Sequence, residues 1–278
     1  MAAAIGPWKT SETELSRALY QTLQPGYVVM ADQLHGSYVD LVLIQQQGAD
    51  GMLRKHHARK TDFRTGKKHG IGDHQVVWSK PQQRPQHMSP EAFGALPLTL
   101  MVREVSLRLS RPGWREQDLI VVTTLLDAER YSAAQLTELY GWRWHAAEVN
   151  LRHLKTTLKM ELLTAKTPAM VRKEFWAHLL GYNLLRTLME QAAPQADYQR
   201  PRLSLQQTRQ GFRAILSELA ASEPRQQQRL YEDLLNQTAT VLLPDRPHRQ
   251  EPRVVKRRPK PFPRMTRPRS ALKAELTA

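Results

Sequence analysis

Tyr27-Val28-Val29-Met30-Ala31 is a short, unbroken apolar run between two segments of helical pattern, and it restricts this chain more than any other feature. An apolar run without alternation suits a strand buried on both faces, which a sheet covered by helices provides. Upstream, Ser11-Glu12-Thr13-Glu14 reads as a capping box opening a helix with Leu15, Ala18, Leu19 and Leu23 at helical spacing, and Pro25-Gly26 ends it. Downstream, Ser37 to Gln47 reads as a second helix stopped by Gly48, and Gly51 to Arg54 as the next strand. The apolar run ends in Asp32, and the C-terminal end of a buried strand is where α/β folds place their sites.

From about Ala58 to Asp127 the pattern changes to a period of two, in Gln75 to Trp78, Val102 to Leu109 and Leu119 to Leu125. That alternation predicts antiparallel strands, read here as a β-rich insertion. Ser132-Ala133-Ala134-Gln135 is a second capping box and opens the helix that carries Glu148. Thr167-Pro168 opens another, whose apolar positions Met170, Val171, Phe175, Leu179, Leu180, Leu184 and Leu188 form a core-facing stripe. Two further helices are expected near 203–220 and 224–243. The organisation that follows is a partial α/β core in 1–57, the β-rich insertion in 58–130, core helices in 131–200, a C-terminal helical region in 201–243 and a basic, proline-rich tail in 244–278. That tail has too few apolar residues to fold alone, and reads either as a solvated tail or as a DNA-clamping arm.

The chain has 278 residues and a formal charge of +15, so a polyanion is the partner its field favours. A membrane surface is the competing polyanion, but there is no uninterrupted apolar run of spanning length. Residues 1–7 also lack the basic start and apolar core of a signal peptide. The absence of cysteine removes disulfides, thiolate zinc sites and cysteine nucleophiles, and is compatible with a reducing cytoplasm. The adjacent pair His56-His57 lacks the i, i+4 spacing that sets two imidazoles on one helix face.

Glu138 to Lys155 places one acid, Glu148, among Tyr140, Trp142, Arg143, Trp144, Arg152 and Lys155. On its own such a segment is an amphipathic helix with Glu148 on its solvated face. Together with Asp32 and the charge of the whole chain, it reads as a carboxylate set among phosphate-binding cations. Phosphodiester cleavage and strand transfer need charge stabilisation on the entering and the leaving oxygen, which two divalent ions about 4 Å apart supply. Oxygen ligands suit Mg2+, with Mn2+ as a substitute. Asp32 and Glu148 are the expected catalytic carboxylates and metal ligands. Arg143, Arg152, Lys155 and Lys159 are the expected phosphate contacts, and Tyr140, Trp142 or Trp144 would stack on an unpaired base. In the insertion, Trp78 and Trp114 are further stacking candidates.

These residues carry a resemblance. Tyr140, Arg143, Glu148 and Lys155, followed by the run to Glu174, resemble the signature of the DDE transposases of bacterial insertion sequences, nearest to insertion-sequence family four. Tyr27 to Asp32, with Gly36-Ser37-Tyr38, resembles the motif holding that family's second catalytic Asp. The resemblance implies a ribonuclease-H-like catalytic core interrupted by a β-rich insertion. It also implies a cytoplasmic, nucleoid-associated enzyme and cut-and-paste transposition on double-stranded DNA, both the element's terminal inverted repeats and its target. A second transposase chain is a further implied partner.

Two departures shape the expectation. Four residues separate Arg143 from Glu148 where the family has three, so a regular helix at about 100° per residue would splay them by about 140°. A π-bulge between them would restore a shared face. In addition, Asp32 is the earliest Asp in the chain, so the family's first catalytic Asp has no counterpart. The expectation is a portion of a transposase that is inactive alone, with the strand at Tyr27 to Ala31 as an exposed sheet edge. Two rival readings remain open. One is a non-enzymatic DNA-binding chain that poisons the oligomer of a full-length transposase. The other is a distinct metal nuclease whose site is completed by Asp40 or Asp127.

Overall fold

The computed structural model describes residues 2–7, 9–109, 117–143, 149–196 and 203–243, with the isolated positions 268 and 274. Nearly all of the 244–278 segment, together with Trp114, Trp144 and Glu148, lies outside the described residues.

Helix α1 (Glu12–Tyr20) begins as its capping box predicts, with the Ser11 hydroxyl accepting from the Glu14 N–H. Strand β1 (Val28–Ala31) follows, then a single 3-10 turn (Gln33–His35), helix α2 (Tyr38–Gln45) and strand β2 (Asp50–Arg54). β1 and β2 pair in parallel with Met30 opposite Met52, the crossover geometry that the strand–helix–strand order demands. Helix α2 is buried over most of its surface, with Leu41 and Ile44 fully inaccessible. Its one acid, Asp40, sits at 0% exposure, bonded to Arg17 at 2.8 Å and to the Ser37 hydroxyl, which ties α2 to α1.

Strands β3 (Lys67–Gly70), β4 (Asp73–Ser79), β5 (Thr99–Leu109) and β6 (Gln117–Thr123) follow, the last three on the alternating segments and β3 unmarked by alternation, with a short helix α3 (Pro90–Gly94) between β4 and β5. All pair antiparallel, as the period of two predicts. They do not make a separate layer. β6 pairs with β2 through Met52 opposite Thr123, giving one mixed six-stranded sheet of order β1-β2-β6-β5-β4-β3. Periodicity sees the strands but not the partner each one takes. β1 stands at one edge, with Tyr27 50% and Val28 38% exposed.

Helices cover the β1-β2-β6 half on both faces. Tyr20, Tyr38, Val39, Leu41 and Ile44 from α1 and α2 pack on Leu53, Val122 and Val102. On the other face, Leu136 and Tyr140 of α4 (Ala133–Arg143) pack on Met52, Val105, Leu107 and Val121. Full burial of side chains of this kind stabilises by about 1.5–3 kcal/mol each. The capping box of α4 forms reciprocally: the Ser132 N–H donates to Gln135 Oε1 at 2.9 Å, and the Gln135 N–H donates to the Ser132 hydroxyl at 3.3 Å.

Beyond α4 the chain is described again from Val149, through α5 (Asn150–Arg152) and a π-helical turn (His153–Thr157). Helices α6 (Pro168–Ala192), α7 (Leu205–Ala221) and α8 (Pro224–Thr240) then share a second core around Leu179, Tyr182, Leu185, Leu203, Leu205 and Leu234. The Thr167 hydroxyl caps α6 with Pro168 at its first position, as expected. The stripe read along α6 is only half right. Leu179 and Leu188 are buried, but Leu180 and Leu184 are 61% and 55% exposed, and the core side is completed by Tyr182, Leu185 and Met189.

Candidate functional site

The site is built where β1 and β2 end side by side. Asp32 directly follows β1, and its Oδ1 accepts from the Leu34 N–H at 3.0 Å, which starts the 3-10 turn and leaves Oδ2 for a ligand. The carboxylate is exposed, and so is Arg54, the last residue of β2. The turn after Asp32 is pressed against β2, because a Cβ on Gly36 would lie 2.0 Å from the Arg54 carbonyl oxygen. Only glycine lets the two strand ends approach this closely. Gln33, next to Asp32, hydrogen-bonds the His57 Nδ1 at 2.9 Å, and the His56 and His57 rings lie 4.3 Å apart.

Helix α4 reaches this point from the opposite face of the sheet. The Tyr140 hydroxyl donates to the Ala31 carbonyl at 3.2 Å, one residue before Asp32 and 109 positions away in sequence. Tyr140 is 2% exposed. Burial pushes its phenol above the ordinary tyrosine range, Arg143 and Arg54 pull it down, and Asp32 pushes it up. Ala31 pairs with Leu53, so Asp32 and Arg54 leave the sheet side by side, next to the strand end that the Tyr140 hydroxyl holds. The Arg143 guanidinium stands 5.1 Å from the Tyr140 ring, and its Nε is buried without a hydrogen-bond partner.

Asp32, Tyr140, Arg143 and Arg54 thus form one constellation. Arg54 is the member that the sequence reading passed over. The rule that singled out Asp32, the C-terminal end of a strand in a helix-covered sheet, applies equally to Arg54. Glu148 and Trp144 lie outside the described residues, and so does the turn on which the expected π-bulge falls, although Val149 after it is π-helical. Arg152, Lys155 and Lys159 are exposed. Lys155 rides on the π-helical turn, while Lys159 just beyond it has φ 58°, the only positive φ outside glycine among the described residues. The Arg209 guanidinium holds the Thr157 carbonyl at the end of that turn.

Other expected residues serve different ends. Trp78 is 3% exposed, with its indole N–H donating to Glu104 at 2.8 Å and the Arg59 guanidinium 4.1 Å above its ring. It is sheet packing and not a platform for a base. Asp40 is buried and spent on Arg17 and Ser37, and Asp127, which accepts from the Glu129 and Arg130 N–H groups at 3.0 Å each, follows β6, whose antiparallel pairing with β2 carries it to the end of the sheet opposite Asp32. Among the described residues no group of three or more His, Cys, Asp or Glu could hold a metal ion. No helix among them is long and apolar enough to cross a membrane.

The chain is thus an α/β protein with an exposed strand-end carboxylate near arginines and a tyrosine-anchored helix. Its particular kinship comes from comparison. The chain is 29% identical over 272 residues to the transposase InsG for insertion sequence element IS4 of Escherichia coli (strain K12), a match covering 94% of this chain. This agrees with the family resemblance stated from the sequence: the chain is similar to a transposase of an insertion sequence over nearly its whole length. It spans 58% of the length of that curated relative. No protein-family model matches the chain.

Proposed function

We propose that the chain acts on double-stranded DNA as an insertion-sequence transposase, with a ribonuclease-H-like core in which Asp32 and Glu148 are the metal-binding carboxylates. The observation that carries this reading is the bond from Tyr140 to the Ala31 carbonyl. It joins the segment bearing Arg143 to the strand end bearing Asp32, so the two halves of the sequence signature meet in space.

Asp32 suits Mg2+ or Mn2+: it offers a hard oxygen donor on a strand end, exposed and held by its own turn. When bound, such ions stabilise charge on the attacking and leaving oxygens of a phosphodiester. The chain's own residues supply the rest. Arg143 and Arg54 hold phosphate oxygens close to Asp32, each by a planar fork of N–H donors. Arg152, Lys155 and Lys159 carry the backbone onward as exposed cations. Tyr140 acts through position: buried and bonded to the strand, it sets α4 so that Arg143 faces the strand end. Tyr140→Phe therefore leaves DNA binding near its wild-type level, lowers stability by about 1 kcal/mol and slows cleavage.

The test is nicking of supercoiled DNA with Mg2+ or Mn2+, beside Asp32→Asn and Glu148→Gln. Nicking that both substitutions abolish supports the enzyme. DNA binding in all three proteins, with nicking in none, overturns catalysis by this chain alone and leaves a chain that grips DNA without cutting it; inhibition of a full-length transposase by all three proteins alike then selects the oligomer-poisoning reading, for which neither carboxylate matters.

A further inference from the structure

The far end of the sheet carries a feature that the constellation at Asp32 does not use. β3 and β4 are joined by the two-residue turn Ile71-Gly72, with Gly70 paired to Asp73 across it. Ile71 is 107% exposed, more than any other apolar residue described. An isolated exposed isoleucine is ordinary on a protein surface; one at the tip of a hairpin this firmly held is a different object.

The hold is visible on every side. Gly72 has φ 70° and lies so close to β5 that a Cβ would sit 2.9 Å from the Ser106 Cβ. The Ser106 N–H donates to the Gly72 carbonyl at 2.7 Å. One residue on, Asp73 accepts from Arg103 Nε at 2.7 Å, and the same guanidinium donates to the Tyr131 carbonyl at 2.6 Å. Arg103 is 1% exposed and Asp73 5%. An ion pair buried this deeply at the base of a turn fixes direction more than it adds stability.

Register places this tip relative to Asp32. Met30 pairs with Met52, Met52 with Thr123, Thr123 with Arg103, and Arg103 with Gln75. β1, β2 and β3 run in the same direction across this ladder, so the turn after β3 emerges at the same end of the sheet as Asp32. Four strand spacings separate β1 from β4, about 19 Å at roughly 4.8 Å each. Along one strand of B-form DNA this is about five to six nucleotides at 3.4 Å. The approach is cationic: β3 is the outer strand, and both Lys67 and Lys68 on it are exposed.

We propose that the Ile71 tip is a DNA wedge: it enters a base-pair step about half a helical turn from the phosphate held at Asp32, while Lys67 and Lys68 grip the adjoining backbone. This rests on the DNA reading above. Rigid apolar side chains flanked by cations unstack base steps in this way, kinking and unwinding the duplex.

The experiment needs no knowledge of the recognised sequence. Plasmid DNA is relaxed by a metal-independent topoisomerase in EDTA with saturating full-length protein. The linking-number change after protein removal then reports unwinding. Wild type and Ile71→Leu are expected to change linking number alike, and Ile71→Ser to lose most of the change at equal occupancy with an unaltered melting temperature. The double variant Lys67→Gln, Lys68→Gln is expected to lower the slope of log affinity against log salt by about 2. Equal unwinding by wild type and Ile71→Ser overturns the wedge and leaves the DNA reading intact. Failure of the wild-type chain to bind plasmid at all overturns both.

Discussion

At the scale of single residues, Lys159 carries a local backbone cost at a position proposed to contact DNA. It takes φ 58° just after the π-helical turn, where the Met160 N–H folds back to the Leu154 carbonyl at 3.1 Å. Glycine is the usual occupant of a left-handed position at a helix end, and a side chain there costs on the order of 1 kcal/mol. Lys159→Gly is therefore expected to raise stability in denaturant melts by about 1 kcal/mol while lowering the salt slope of DNA binding by about 0.9, the share of one phosphate. A stabilised variant with an unchanged slope would make Lys159 a mere tolerated strain. The lysine was read as a phosphate contact among the cations that follow Glu148, whereas its backbone conformation was not legible. That conformation depends on how the turn closes against Arg209 of α7, some fifty positions away, whose guanidinium takes the Thr157 carbonyl.

At the scale of elements, the local signals performed well wherever the physics is local. Ser11, Ser37, Ser132 and Thr167 each start the helix they were read to start, because a cap needs only its own side chain and the next three N–H groups. The limits of this local reading appear at Gly36. Nothing in its neighbourhood announces that its missing side chain leaves room for the Arg54 carbonyl. Gly36→Ala would force the strand ends apart, with an expected loss of about 1–3 kcal/mol, and would move Asp32 relative to Arg54. Stability unchanged in Gly36→Ala would mean that the turn relaxes freely and that the placement of Asp32 next to the end of β2 is incidental. The α6 stripe failed for the converse reason. Leu180 and Leu184 fit a helical period as well as Leu179 and Leu188 do, and only the positions of α7 and α8 decide which are covered.

At the scale of the whole molecule, four tyrosines set the response to base. Burial raises the phenols of Tyr20, Tyr38, Tyr140 and Tyr182 above their ordinary value, in every case as the largest cause. A group whose folded pKa is raised stabilises fully below its unfolded pKa, and that stability is lost as pH rises from about 10 toward the folded value. Denaturant midpoints should therefore hold steady from pH 7 to about 9.5 and fall above 10, with phenolate absorbance rising in step with unfolding. Tyr20→Phe should flatten the fall, since Asp40 adds to the burial there. Phenolate that appears while the fold persists would contradict the burial of these rings.

The sequence by itself determined the capped starts of α1, α2, α4 and α6, every strand but β3, the identity of the acid and base groups and the attraction to a polyanion. Each depends on composition or on contacts within a few residues. The tertiary structure alone decided that β2 pairs with β6, merging the antiparallel strands with the parallel pair in one sheet. It alone decided that Tyr140 is an anchor, that Trp78 is packing, and that Arg54 stands beside Asp32. Those facts depend on which distant groups exclude water from one another. Burial is a property of the assembled surfaces, whereas a residue's chemistry travels with it along the chain.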